Sequence, residues 1–282
     1  MATAPQTYSQ DLPKEIKHYL GSKDMRMHHG LWHYVRVAWP AITPARQLEL
    51  EKAGFKPPRL QEQFLSGIDF LAMHRTMIRE VHRQFSASAV PSGWNPIPFR
   101  PDPEWPVPPT YDGIPEPAWK EPEATKHFEQ EAHRFPTLPK GEEKSSLARH
   151  IYQSMSLDYL GRRIENGIHG WMHIHWSSDP WFKGNKGQDI NDIRNDWLAS
   201  PYASHVNVHF WKIHGWINDR VDDWARANEV KDVDALLQGA FVGPDMSREM
   251  PGMKMSEMIE MTPEEIRDCE GIFVLSRNSV PA

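Results

Sequence analysis

Residues 168–176 read IHGWMHIHW, three histidines in nine positions with tryptophan and methionine between them. His169 and His173 stand four apart, the spacing that puts two side chains on one face of an α-helix, a turn apart. The pattern occurs twice. HGWMH at 169–173 is matched by HGLWH at 29–33, an interval of 140 residues from His29 to His169. A further histidine follows each pair: His74 in FLAMH (70–74) and His214 in FWKIH (210–214), each 41 positions after the second histidine of its pair and four after a phenylalanine. Each half therefore offers a helix with two imidazoles and a second helix with a third. The predicted fold is mainly α, with a four-helix bundle core holding a dinuclear metal site.

Counting ligands gives the chemistry. Three neutral imidazoles from two neighbouring helices bind one borderline metal ion and leave a coordination position open, as reactive sites do; closed structural sites take four ligands. Two halves make two ions, and helix pairs that face each other bring the open positions together, where a diatomic molecule fits between them. The candidate ligands are His29, His33 and His74 for the first ion and His169, His173 and His214 for the second, with His28 the alternative to His29. No HExxH zincin motif occurs.

Composition narrows the class. The 282 residues are 39% hydrophobic, enough for a substantial core, and 32 basic against 38 acidic residues give a net charge of −6. That balance leaves no basic footprint for nucleic acid and no polybasic membrane anchor. The N-terminal stretch lacks the apolar core of a secretory signal and nowhere do 18 apolar residues run together, so a cytoplasmic location is expected. The single cysteine, Cys269, excludes an internal disulfide framework and a thiolate-rich metal site. Fifteen histidines, 12 tryptophans and 13 methionines supply imidazole, aromatic walls and soft sulfur instead.

One domain is expected, in four zones. Residues 12–85 form the first helical half and residues 145–228 the second, both with apolar residues at three- and four-residue spacing. Between them residues 90–140 are rich in proline, from Pro91 to Pro139, and are expected to be an irregular strap; Trp94 and its other aromatics would hold it against the surface. Residues 229–282 are expected to be an irregular tail, with methionines at 246, 250, 253, 255, 258 and 261 that either gather Cu(I) or fill gaps. The stretch 177–197, rich in turn formers, is expected to form the mouth of the site.

Several other residues have candidate roles. His205 is a candidate general base, because an ordinary imidazole titrates near neutrality. His175 and His209 are candidates for supporting hydrogen bonds. Asp158 and Glu165 either orient a water or face solvent.

FLAMHRTMIREV (70–81) resembles the helix that gives the third ligand of the first copper in tyrosinases and related type 3 copper proteins, and HFWKIHGWINDRVDDW (209–224) resembles the matching helix of the second copper. The resemblance extends to the HGWMH helix and hardly at all to the strap and tail. It implies two copper ions that bind dioxygen, with His74 on the first and His169, His173 and His214 on the second. The implied activity is hydroxylation of a phenol at the ortho position, oxidation of the diphenol to a quinone, or both. Its partners would be a small aromatic substrate and dioxygen. Alternatives on the same residues are an o-aminophenol or arylamine oxidase, a non-catalytic dioxygen carrier and, less expected, a dinuclear zinc hydrolase. Tyrosinases often carry asparagine after the first ligand of the second copper. Here that residue is Gly170, so diphenols or o-aminophenols are expected to be oxidised more readily than monophenols.

Overall fold

The computed structural model describes residues 11–86, 90–97, 122–139, 141, 146–177, 187–245 and 255–275. Among them are helices and turns and no strand. Among the described residues no helix is long and apolar enough to cross a membrane.

The first half contributes α1 (Lys14–Leu20), α2 (Lys23–Ala38), α3 (Pro44–Lys52) and α4 (Ser66–Gln84). Local chemistry sets several starts: the Ser22 hydroxyl accepts the Met25 amide at the head of α2, and Thr43 does the same for Arg46 before Pro44 opens α3. Helix α2 is buried at every position from Met25 to Arg36, so it runs through the interior.

Next come α5 (Pro122–His133), α6 (Leu147–Gln153) and α7 (Leu157–Ile164). Helix α7 passes through a five-residue π segment, Glu165–His169, kinked at Gly167, into α8 (Gly170–His175). The long α9 (Val208–Ala227) begins where the Asn207 side chain accepts the His209 amide, and α10 (Val233–Leu237), α11 (Met255–Met258) and α12 (Pro263–Leu275) follow among the described residues.

Helix α4 is central. It packs most extensively on α7 and then on α9. The approach to α7 depends on two facing glycines: a Cβ on Gly67 would collide with the Asp158 carbonyl oxygen, and one on Gly161 with the Gly67 carbonyl oxygen. Asp158 also accepts the Gly67 amide at 3.0 Å, satisfying a donor at the start of α4. Around these helices lie the fully buried Trp32, Trp94, Trp176 and Trp211.

Two sequence expectations need correction. The zone 90–140 is not irregular throughout, because EATKHFEQEAH, free of proline between Pro122 and Pro136, forms α5, with Pro122 opening it as proline does at a first helical position. Its described first part does lie along the surface of α9. Gly93 meets the backbone of Gly215, and the Trp94 amide donates to the Lys212 carbonyl at 3.2 Å. Residues 98–121 lie outside the described residues. The zone 229–282 is not an irregular tail either: α12 packs on α2 and α8, and the Cys269 thiol sits 3.5 Å from the Gly30 carbonyl. Met261 is buried against Gly30, so this methionine fills space in the core; Met246, Met250 and Met253 lie outside the described residues.

Candidate metal centre

His29 and His33 project from α2, His74 from α4, His169 from the end of the π segment, His173 from α8 and His214 from α9. All six are at most 2% exposed and meet in one cluster. The 140-residue interval is visible in space. Ring centroids of the first pair, His29 and His33, are 4.8 Å apart, and those of His169 and His173 are 4.5 Å apart; His33 to His74 is 5.6 Å and His173 to His214 is 5.5 Å. At the centre His74 stacks on His214 at 4.0 Å with planes 8° apart. The two phenylalanines cross over: Phe70 packs on His169 at 4.8 Å and Phe210 on His29 at 5.3 Å.

Hydrogen bonds to backbone carbonyls fix the rings. His29 Nδ1 donates to the Pro201 oxygen at 2.6 Å, His74 Nδ1 to the Phe70 oxygen at 2.9 Å and His173 Nδ1 to the Leu198 oxygen at 2.7 Å, while the Glu165 carbonyl holds His169. The bonds of His29, His74 and His173 place the proton on Nδ1 and leave a lone pair on Nε2, the form in which imidazole binds a metal. His29 Nε2 and His74 Nε2 are fully buried and have no hydrogen-bond partner, an arrangement that costs about 1–3 kcal/mol per group unless something else satisfies it. His173 Nε2 and His214 Nε2 lie 3.3 Å apart. That is about the separation of two nitrogens on one tetrahedral ion with bonds of roughly 2.0–2.1 Å.

Burial, more than any neighbouring charge, keeps these rings neutral. It pushes His74 down to about 3 and His173 to about 4, and drives His29, His33, His169 and His214 well below the ordinary range, with their mutual repulsion adding to the effect. Neutral imidazole is the ligand form, so the cluster is ready for a metal without proton release. Ligand atoms close to within 4.8 Å of one another in two triads, His29/His33/His74 and His74/His169/His214, and either can hold a metal ion. Every donor in them is an imidazole nitrogen, a set that suits copper, zinc, iron or nickel.

The other candidates occupy different places. His28 points away from the cluster, its Nε2 3.1 Å from the Pro244 oxygen and its ring against Phe55, so His29 is the member of that pair that faces the other imidazoles. His205 is not placed as a base expected to meet a substrate. It is fully buried, its Nε2 donates to the Leu20 oxygen at 2.9 Å, and its Nδ1 faces His29 Nδ1 at 3.2 Å, so it supports His29 from behind. His209 packs between Trp94 and Trp176, and the side chain of His175 lies outside the described residues. Asp158 and Glu165 face neither solvent nor the cluster: Asp158 holds the start of α4, and Glu165 is paired with Arg36. Of the expected mouth, residues 178–186 lie outside the described residues, and the following segment holds Arg26 through the Asp192 and Asn195 oxygens.

Sequence reasoning missed Leu198 and Pro201, whose backbone oxygens hold one clustered histidine from each half. A backbone carbonyl leaves no trace in residue identity. It also missed Arg36, although an arginine three residues after His33 on an interior helix was a signal, since a buried guanidinium needs a buried partner. A scan of protein-family models and a search of curated proteins give no match to the chain.

Proposed function

We propose that this chain is a dicopper oxidoreductase that uses dioxygen to hydroxylate or oxidise phenols. In this reading α2, α4, the α7–α8 helix and α9 form a four-helix bundle, His29, His33 and His74 hold one copper, and His169, His173 and His214 hold the other. The observation that carries it is the repeated three-histidine set, buried and two-fold in arrangement, with lone pairs at His29 Nε2 and His74 Nε2 that no group among the described residues satisfies. The absence of any carboxylate from the two triads favours redox copper over a zinc hydrolase, whose paired ions generally need bridging oxygen ligands.

Copper bound there would supply the electron exchange with dioxygen that a phenol oxidation needs. The chain's own residues would do the rest. Pro201, Phe70 and Leu198 oxygens keep the Nδ1 protons of His29, His74 and His173 in place, so each ring stays in one tautomer and one orientation. Phe70, Phe210 and Trp32 line the imidazoles and exclude water, which preserves their neutrality and discourages loss of reactive oxygen. His205 holds the Nδ1 side of His29; any proton taken from a substrate goes elsewhere. Gly170, buried directly after His169, adds no side chain there, which suits diphenols and o-aminophenols better than monophenols.

Copper analysis with oxygenation tests the proposal. Protein loaded with Cu(I) and exposed to dioxygen should contain two coppers per chain and develop an intense near-ultraviolet band, followed by turnover of a catechol. One zinc per chain and no oxygen-dependent absorption would overturn it.

A further inference from the structure

The two triads are not the two halves of the repeat. One, His29/His33/His74, lies within the first half, but the other takes His74 from the first half and His169 and His214 from the second. His173, the counterpart of His33, stands beside that second triad, with Nε2 3.3 Å from His214 Nε2 and Nδ1 bonded to the Leu198 oxygen. His74 belongs to both triads, yet its Nδ1 is held by the Phe70 oxygen, so only Nε2 is offered. A single lone pair serves one ion at a time.

The triads also differ in how firmly their helices are held. Helix α4 packs extensively on α7 and α9, which carry the other two ligands of the mixed triad or lead into them, and far less on α2. Within that triad His74 and His214 make the closest ring contact of the cluster, 4.0 Å and nearly parallel. Ligands fixed by packing lose less freedom on binding, so the mixed triad is the better prepared seat.

We propose that the metal-free chain takes its first ion at a seat that crosses the halves, formed by His74, His169 and His214. The second ion follows when His74 turns to His29 and His33, and His173, already spaced for sharing an ion with His214, takes its place. The second step rests on the dinuclear reading above; the seat itself does not. Loading is then sequential, and a chain with one ion holds it between its halves.

Titration of the full metal-free chain with Co(II), followed by visible absorption, tests this. In the triple variant His29→Ala/His33→Ala/His173→Ala neither half keeps three ligands but the crossing seat is whole, so one Co(II) should bind with the affinity of the wild-type first step. In His74→Ala the second half keeps all three of its ligands, yet first-step affinity should fall by roughly tenfold or more, at least what loss of a mere supporting group costs. Independent halves require the reverse: no binding by the triple variant and an unchanged first step in His74→Ala, and either result overturns the seat. Helical circular dichroism of each metal-free variant identifies one that fails to fold, and the other still decides. If the wild type takes only one Co(II) and the triple variant retains it, the dinuclear reading fails and the seat stands. If the wild type takes two and the triple variant none, the seat fails and the dinuclear reading stands.

Discussion

Arg36 donates to both carboxylate oxygens of Glu165, at 2.5 and 3.0 Å, with both side chains sealed from solvent. The pair joins α2, three residues past His33, to the π segment, four residues before His169, and so locks together two helices that carry ligands of opposite halves. The Arg36 guanidinium also lies 4.2 Å from the centre of the Trp32 ring, which touches His33 and His74. Removing one partner leaves a charge buried and unpaired. Glu165→Ala should therefore destabilise the metal-free chain by about 3–5 kcal/mol, and Arg36→Met/Glu165→Leu should recover most of that loss. Urea denaturation of the three proteins checks this, and a single variant as stable as wild type would mean that the pair does not hold the helices.

The glycine contact between α4 and α7 predicts a second effect. Gly67→Ala and Gly161→Ala each place a Cβ onto opposing backbone that has no flexible end to swing aside. Each should cost about 1–3 kcal/mol or more, the usual range for overpacking. Both should also weaken metal binding, because α4 carries His74 and α7 leads to His169. Gly239→Ala is a useful contrast, since its Cβ would meet nothing and only its left-handed backbone, φ of 78°, would resist. Normal Co(II) affinity in Gly161→Ala would show that the close approach does not position the ligands.

Acid should unfold the metal-free chain abruptly. Burial pushes His28 and His173 down to about 4, His74 and His205 to about 3, and His29, His33, His169 and His214 well below the ordinary range. As pH falls below about 6.5 the unfolded chain takes up protons at these positions while the folded chain does not, so the equilibrium moves toward unfolding. Each ring contributes about 1.4 kcal/mol per pH unit once the pH is well below 6.5, and eight together about 11 kcal/mol per pH unit, comparable to the whole stability of a domain. The stability these rings lend is present above pH 6.5 and lost on the way down. Thermal midpoints from pH 8 to 5 should fall steeply below 6.5, and bound metal should delay the fall because protons compete with it. A flat profile to pH 5 would mean that the rings are not held neutral by burial.

Gly170 tests substrate choice. Its backbone is ordinary right-handed helix, φ −60° and ψ −39°, so an asparagine fits there without backbone strain. Gly170→Asn should raise monophenol hydroxylation relative to diphenol oxidation by offering a polar group next to His169. The ratio of the two rates in wild type and variant is the measurement. Efficient monophenol hydroxylation by the wild type would refute the preference.

Helix content and the gathering of six histidines into one buried cluster were legible because both depend on periodicity. A spacing of four for His29/His33 and His169/His173, and an equal interval to His74 and His214, put six residues of one type in register before any coordinate is known. His28 and His29 could not be separated by spacing, because adjacent positions on a helix differ by about 100° and only the direction of the core decides between them. The roles of Asp158, Glu165 and His205 were illegible for a related reason: each is set by a partner 91 to 176 residues away in sequence, Gly67, Arg36 and His29 respectively. Helix α5 was hidden by averaging, since a window dominated by proline conceals eleven residues that carry none. The extra triad was invisible because the repeat assigns His74 to one half, whereas packing gives it to both.

The crossing of Phe70 onto His169 and of Phe210 onto His29 has the reciprocity of a self-complementary contact, in which position i of one copy meets position j of the other and the reverse also holds. The two halves thus face each other as subunits of an isologous homodimer do, with the intervening segment as a covalent tether. A tether converts a concentration-dependent association into an intramolecular one, so the meeting of the six histidines in this chain does not depend on dilution. It also lets the halves differ: a single stretch of chain, residues 198–201, holds His29 on one side and His173 on the other, which no symmetric pair of subunits could share unequally.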